Sequence, residues 1–562
     1  MRLFEHGKYM LIVAGVLVLM VCAPLAWGEE DRPPAKEFDG IEALIRILQD
    51  KGVITSQEAQ TFIRRYKKVP LQRQQSKNVI MIIPEEQEKR VAERVSEGLG
   101  EKVQGEIESL EKEMDAKTED LFRRSTENKR NLQVLETKVY EDLANKVYKS
   151  SWAQRIRWGG DVRVRYQGDF FDETNALIDR PDEPAKTLNT TNDRQRGRYR
   201  VRLALKADIV DSRSSEVNVG KAEVGIRLAT GNETDPISTN ETFGDFQNKD
   251  DIVFDRAYLK WTYQPWEMVW GGKIPELSII GGRIPNPWFS TDLVWDSDLN
   301  FEGIALNHKT DTLASNPWRG FVTLGAFSIQ EEQLSQNDKW LFAGQVGVER
   351  RKAMGLSAKL GVAYYEYRNM VGEQNISSDP NAKDFTAPLF QTKGNTLMDI
   401  DPTTGEKFAY ASDFELVNVT GQLDYDYWYP THIVLTADYV RNLGFDREEI
   451  ALRVDPTGDT EVPSGLDKGY QVGLTVGYPK IRAFGEWNVS FFYKYLEGDA
   501  VVDAFSDSDF HLGGTNAQGW TLGGALGLYQ DVWLKLRWLT SDEIDGPPIA
   551  VDTLHVDVNA RF

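Results

Sequence analysis

From Trp152 to the carboxyl terminus apolar and polar residues alternate one for one, whereas upstream apolar residues recur every three or four positions. The first rhythm is that of an extended strand and the second that of a helix, so the main boundary falls at 152. The last strand sets the pattern. Leu554, Val556, Val558, Ala560 and Phe562 share one face, and Thr553, His555, Asp557, Asn559 and Arg561 the other. Similar stretches occur at 155–169, 194–210, 216–231, 250–263, 277–284, 301–309, 320–331, 340–350, 355–368, 414–428, 432–442, 469–478, 487–496, 519–528 and 532–540. With 553–562 these make about 16 strands, an even number as a single-chain transmembrane barrel requires.

Upstream, residues 36–68 carry Ile41, Leu44, Ile45 and Leu48, then Gly52, Thr55 and Ser56, then Ala59, Phe62 and Ile63. This spacing predicts a short helical hairpin, with Gly52 stopping one helix and Thr55 or Ser56 capping the next. In 85–149, Val103, Ile107, Leu110, Met114 and Leu121 follow a three-and-four spacing that resumes at Leu132, Leu135, Val139 and Leu143. That is a coiled-coil seam with a stutter, weakened by Lys117, Arg124 and Asn128. A stripe of this length needs a partner helix, so self-association as a trimer is expected; a lone solvated helix is the alternative. Residues 1–28 hold Arg2 and Lys8, an apolar run and Ala26-Trp27-Gly28, the layout of a secretory signal peptide. The apolar run is shorter than the ~20 residues of a spanning helix. Cleavage there removes Cys22, the single cysteine, and with it disulfides, thiol nucleophiles and thiolate metal sites. A lipid anchor on Cys22 would need a small residue where Val21 stands.

Connections between strands fall into two classes. Every other one is long and polar, including 170–193, 232–249, 285–300, 369–413, 443–468 and 497–518, while those between are shorter. Two kinds of turn imply two sides, which a soluble sandwich has no reason to sort. Hydrophobic content of 41% and a mean hydropathy of -0.46 are too polar for a helical bundle in lipid. Both suit a barrel with a wet interior. A formal net charge of -21 argues against nucleic acid as a partner. The fold class expected for 152–562 is therefore an all-β transmembrane antiparallel barrel.

Charge assigns the faces. In the second strand Arg196, Arg198, Arg200 and Arg202 alternate with Tyr199, Val201 and Leu203. One such cation facing lipid at mid-depth costs roughly 2–4 kcal/mol, so the arginines must point inward. Arg163, Arg165, Arg227 and Arg256 hold alternating positions on neighbouring strands, and Arg283 ends the fifth, extending a basic wall. Lumenal arginines that only pair with acids such as Asp161 and Glu223 would read the same way.

The connection after the fifth strand is unusual for a water-exposed loop, because it holds Trp288, Phe289, Leu293, Val294, Trp295 and Leu299. It is expected to fold into the barrel. Asp292, Asp296, Asp298 and Glu302 would then oppose the arginines across a narrow aqueous slot. Asp296, Asp298, Asn300 and Glu302 also mimic the start of a calcium loop, but Phe301 stands where an EF-hand needs glycine. A looser calcium site there or at 503–509 stays open. The five histidines are scattered and no hydrolase motif occurs, so no enzyme activity or cofactor is expected.

The terminal-Phe strand resembles bacterial outer-membrane β-barrel proteins. The resemblance implies an outer-membrane pore, with Phe562 as the signal to the barrel assembly machinery. Gly-Arg-Ile-Pro-Asn-Pro from Gly282 and Leu-Val-Trp-Asp-Ser-Asp-Leu-Asn-Phe-Glu-Gly from Leu293 make the chain similar to the putative porin family of Gram-negative bacteria. That likeness implies passive diffusion of small hydrophilic solutes across the outer membrane, with the N-terminal region in the periplasm and lipid around the barrel. The alternative from another class is a structural tether joined to the envelope through its coiled coil.

Overall fold

The computed structural model describes residues 155–562, apart from 178, 181–182, 188, 212–219, 245, 264–275, 311–316, 334–335, 352–354, 377, 402–406 and 456–465. The expected signal peptide at 1–28, hairpin at 36–68 and coiled coil at 85–149 lie outside the described residues.

A closed antiparallel barrel of 16 long strands occupies the rest. They are β1 (Ile156–Phe171), β2 (Arg194–Asp211), β3 (Lys221–Thr230), β4 (Ile252–Tyr263), β5 (Glu276–Pro285), β6 (Asn300–Lys309), β7 (Trp318–Gln330) and β8 (Lys339–Arg350). Then follow β9 (Leu356–Arg368), β10 (Glu415–Tyr425), β11 (His432–Asn442), β12 (Lys468–Gly477), β13 (Trp487–Leu496), β14 (Ala517–Tyr529), β15 (Val532–Glu543) and β16 (Ala550–Arg561). Each strand pairs with its sequence neighbours, and β1 pairs with β16 from Asp161 opposite Arg561 to Phe171 opposite Val551. The ladders close the sheet on itself, so the long strands pair on both sides as lipid demands. Phe562 completes the seam. Its N–H donates to the Gly160 carbonyl at 3.1 Å, and its carbonyl accepts from Gly160 N–H at 2.9 Å.

Alternation sorts the side chains as the sequence implied. Val164, Val201, Leu203, Leu259, Leu324, Val346, Leu435, Leu474 and Val558 are exposed on the outer face. Trp261 stacks on Tyr263 near the short-turn end of β4, and Tyr470 stacks on Tyr495 near the long-loop ends of β12 and β13. Amphipathic rings at both rims match the two interfaces of a bilayer.

The dry core of this barrel lies inside it. Ile284, Trp288, Leu293, Val294, Trp295 and Phe301 pack with Phe327, Tyr365 and Tyr367 of β7 and β9, and with Val501 and Val502 of the loop 497–516. A second apolar cluster, with Ile400, Ala409 and Ile450, sits among the long loops and includes helix α1 (Arg447–Val454). Asp446 caps α1 by accepting from the N–H groups of Glu448 and Glu449.

Candidate functional site: two inward loops and an open chamber

The loop 286–299 enters the lumen from β5 and returns to β6. Its base is a glycine pair, Gly282 opposite Gly303, both with left-handed backbones (φ 117° and 151°). A Cβ on Gly282 would lie 2.3 Å from the Ala257 carbonyl oxygen, and one on Gly303 2.2 Å from that of Ala326. Only glycine satisfies both demands. Inside, Trp288 meets the edges of Tyr365 (5.4 Å between ring centres) and Phe327 (6.1 Å), and Trp295 meets Phe301 (4.9 Å) and Tyr365 (5.1 Å). Such edge-to-face pairs contribute about 0.5–1.5 kcal/mol each beyond burial.

Polar contacts fix the loop to successive strands. Gln345 of β8 imitates a neighbouring backbone: its Oε1 accepts from Phe289 N–H and its Nε2 donates to the Phe289 carbonyl, both at 2.8 Å. Thr291 donates from N–H (3.1 Å) and hydroxyl (2.7 Å) to Asp438 of β11. On β13, the Lys494 ammonium donates to the Asp292 carbonyl at 3.1 Å and to the Asp507 carboxylate at 2.9 Å.

A second loop, 497–516, also turns inward and meets the first. Asp296 N–H donates to the Phe505 carbonyl at 2.8 Å, and the Asp296 carboxylate accepts from Ser508 N–H at 2.8 Å and Asp298 N–H at 2.7 Å. Burial, with the carboxylates of Asp507 and Asp298 beside it, holds Asp296 well above the ordinary carboxylate range. Burial pushes Asp298 the same way, but the guanidinium groups of Arg200 and Arg202 outweigh it and hold Asp298 below that range. Asp509 lies further below, with Arg165, Arg537 and His555 overcoming its burial.

The arginine wall faces the lumen, yet much of it is already engaged. Arg202 reaches Asp298 at 3.1 Å and Asp161 at 2.9 Å, and Arg200 reaches the same two carboxylates at 3.6 and 2.9 Å. Arg165 bonds Asp557 (2.7 Å) and Asp509 (2.9 Å), Arg196 bonds Asp169 (3.3 Å), and Arg227 bonds Asp255. Arg256 donates to Asn300 at 2.7 Å. Arg163 is held by Asn240, and Arg198 by Gln167 and the Asn240 carbonyl, partners without charge.

Three expectations about the slot need correcting. Asp298 is bonded to the arginines, because a carboxylate with so little access to water needs cations in contact. Asp292 and Asp296 face Lys494 and the loop 497–516 instead of the wall. Arg283 and Glu302 lie on the outer face: Ile284 and Phe301, their neighbours in sequence, point into the core, and Ile304 on the face of Glu302 is 59% exposed. They pair with each other at 2.5 Å. The loop 497–516 was missed, although Val501, Val502, Phe505 and Phe510 in an acidic loop carry the apolar signal that revealed 286–299.

The open space lies on the opposite side. Between residues 289–292 and strands β10–β15 a half-open chamber of about 350 Å³ remains, at mid-height. Its wall presents Thr420, Gln422, Thr436, Gln471 and Thr521, with Phe492 and the self-paired charges of Lys494, Asp292 and Asp507. Arg537 at its margin is bonded to Asp509. Among the described residues no group of three metal-ligating side chains converges.

A closed barrel with an apolar exterior, charged interior and loops folded to mid-height defines a channel of the outer-membrane porin type. The chain belongs to the putative porin family, which matches residues 39–562. No curated protein matches it. Solved structures with a similar course include OprB of Pseudomonas putida, 13% identical, with a TM-score of 0.42 over 72% of this chain and 94% of that one. OmpF of Salmonella typhi in complex with daunomycin is 8% identical (TM-score 0.39; 72% and 97% covered). The outer-membrane channel DcaP of Acinetobacter baumannii is 12% identical (0.37; 72% and 97%).

Proposed function

We propose that this porin is a passive diffusion channel for small hydrophilic solutes, whose narrowest passage runs between the loop 286–299 and β10–β15. The half-open chamber at mid-height carries this reading, since it leaves lumenal space beside the inward loops among the described residues. Charge selection follows from the wall. Arg163 and Arg198, whose partners are neutral, supply positive potential that Asp161, Asp298 and Asp509 do not cancel. Stepwise single-channel conductance of the purified full chain in a planar bilayer tests the proposal, and a membrane that stays electrically silent rejects it.

The long loops face the cell exterior and the short turns the periplasm, where residues 36–149 emerge. Their heptad stripe supports self-association as a trimer, which native mass measurement tests against a monomer. Deleting 36–149 separates channel from tether, because a channel keeps its conductance and a tether loses envelope attachment. Phe562, already hydrogen-bonded to β1, is the handle for the assembly machinery, and Phe562→Ser is expected to slow barrel insertion in cells.

A further inference from the structure

The chamber described above differs chemically from the rest of the lumen. Thr436, Gln422 and Thr521 make no side-chain hydrogen bond to any described residue, and each can both donate and accept. Gln471 is 4% exposed and its Oε1 has no partner. An amide oxygen without a protein donor gains a bond from a hydroxyl group once the side chain turns toward the opening, and water fills that place when no solute is bound.

The aromatic groups divide the same way. Phe289 is already covered, with the Lys359 ammonium 3.9 Å from its ring centre and Phe321 at its edge. Phe492 lies flat on the backbone of Gly473, where an added Cβ would come within 1.9 Å of its ring. Glycine thus seats the ring against the wall and leaves its other face to the chamber. The charged groups nearby are spoken for: Lys494 is 2.9 Å from Asp507 and 3.6 Å from Asp292, and Arg537 is bonded to Asp509.

We infer that this chamber is a binding subsite for a neutral polyhydroxylated solute of mono- or disaccharide size, with Phe492 as its platform and Gln422, Thr436, Gln471 and Thr521 as its hydrogen-bonding rim. Adjacent hydroxyl groups match side chains that donate and accept, and the polarised C–H face of a sugar ring suits the negative face of an aromatic ring. An anion would have to displace Asp507 or Asp292 from Lys494, and a cation would find only the part-exposed Asp292 carboxylate, 3.6 Å from that ammonium. The cavity volume of about 350 Å³ lies at the lower end of the span of ligand pockets, roughly 300–1,000 Å³. The inference deepens the diffusion-channel reading and rests on it.

Full-length protein in planar bilayers with potassium chloride, titrated with glucose, maltose and, separately, succinate, tests it. Maltose should reduce the ion current with half-block in the millimolar range and below the succinate concentration needed. Phe492→Leu and Gln471→Ala should each raise the maltose half-block at least fivefold, folding being checked by heat-modifiable migration on gels. Glu302→Gln, on the outer face, should change nothing. Conductance with no maltose block, equal block in Phe492→Leu, or tighter block by succinate would each overturn the subsite while leaving the channel standing. No conductance at all would overturn both.

Discussion

The two halves of the barrel wall put polar side chains to opposite use. On β1–β4 and β16 the inward groups are mostly guanidinium and carboxylate, and the inward loops supply Asp298 and Asp509 to meet them. On β10–β14 the inward groups are largely hydroxyl and amide, and beside them the lumen stays open. Charge concentrated in a lumen attracts counter-charge from the protein itself whenever a loop can reach. The basic wall therefore anchors the interior, and the uncharged wall leaves room for traffic.

The harshest test of that contrast is Arg200→Glu with Arg202→Glu. Two new carboxylates beside Asp161 and Asp298 break a buried cluster whose disruption costs about 3–5 kcal/mol. The loop junction should open, conductance should rise, and reversal potential in a salt gradient should shift toward cations. Trp295→Ala removes a ring buried among Phe301, Tyr365 and Phe505, and should loosen the loop by about 3–5 kcal/mol. More frequent closures should follow, with little change in ion preference, because no charge is lost. Lys494→Met leaves Asp292 and Asp507 facing each other. A shift toward cations smaller than that of the arginine pair is expected, read from reversal potential.

The response to pH separates the two kinds of carboxylate. Asp296, held high, contributes to loop docking below the ordinary carboxylate range and loses that contribution as pH rises through its elevated value. Asp298 and Asp509, held low, contribute above the ordinary range and fail only as pH falls through their depressed values. Closure rates in single-channel records should therefore fall as pH is lowered through the elevated Asp296 value, then rise in acid below the ordinary carboxylate range. Asp296→Asn should flatten the upper limb. The smallest effect belongs to Glu302→Gln, since an exposed pair contributes about 0–1 kcal/mol; conductance and selectivity should match the unaltered chain.

The barrel was readable because one-for-one alternation carries the whole decision about faces. All sixteen stretches became strands within a few residues of their expected limits, and Arg196 to Arg202 pointed where the expense of burying charge in lipid sends them. The interior was half readable. Trp288, Leu293 and Trp295 betrayed an inward loop by being too apolar for water, but no sequence period says which wall a loop will lie against. Arg283 and Glu302 were misassigned because Arg283 resembled the lumenal arginines in type, although it follows Gly282 and precedes core-facing Ile284. The chamber left no trace in sequence, because threonines and glutamines on alternate positions look the same whether they bind a solute or water.

Asp509 has one more consequence. It reaches Arg165 on the first strand and Arg537 on the fifteenth, and Arg165 also binds Asp557 on the last. These ion contacts straddle the join where a rolling sheet must meet itself. Zipping the cylinder shut and stowing its contents thus become a single event, and a half-rolled intermediate would have nothing to hold its stuffing in place.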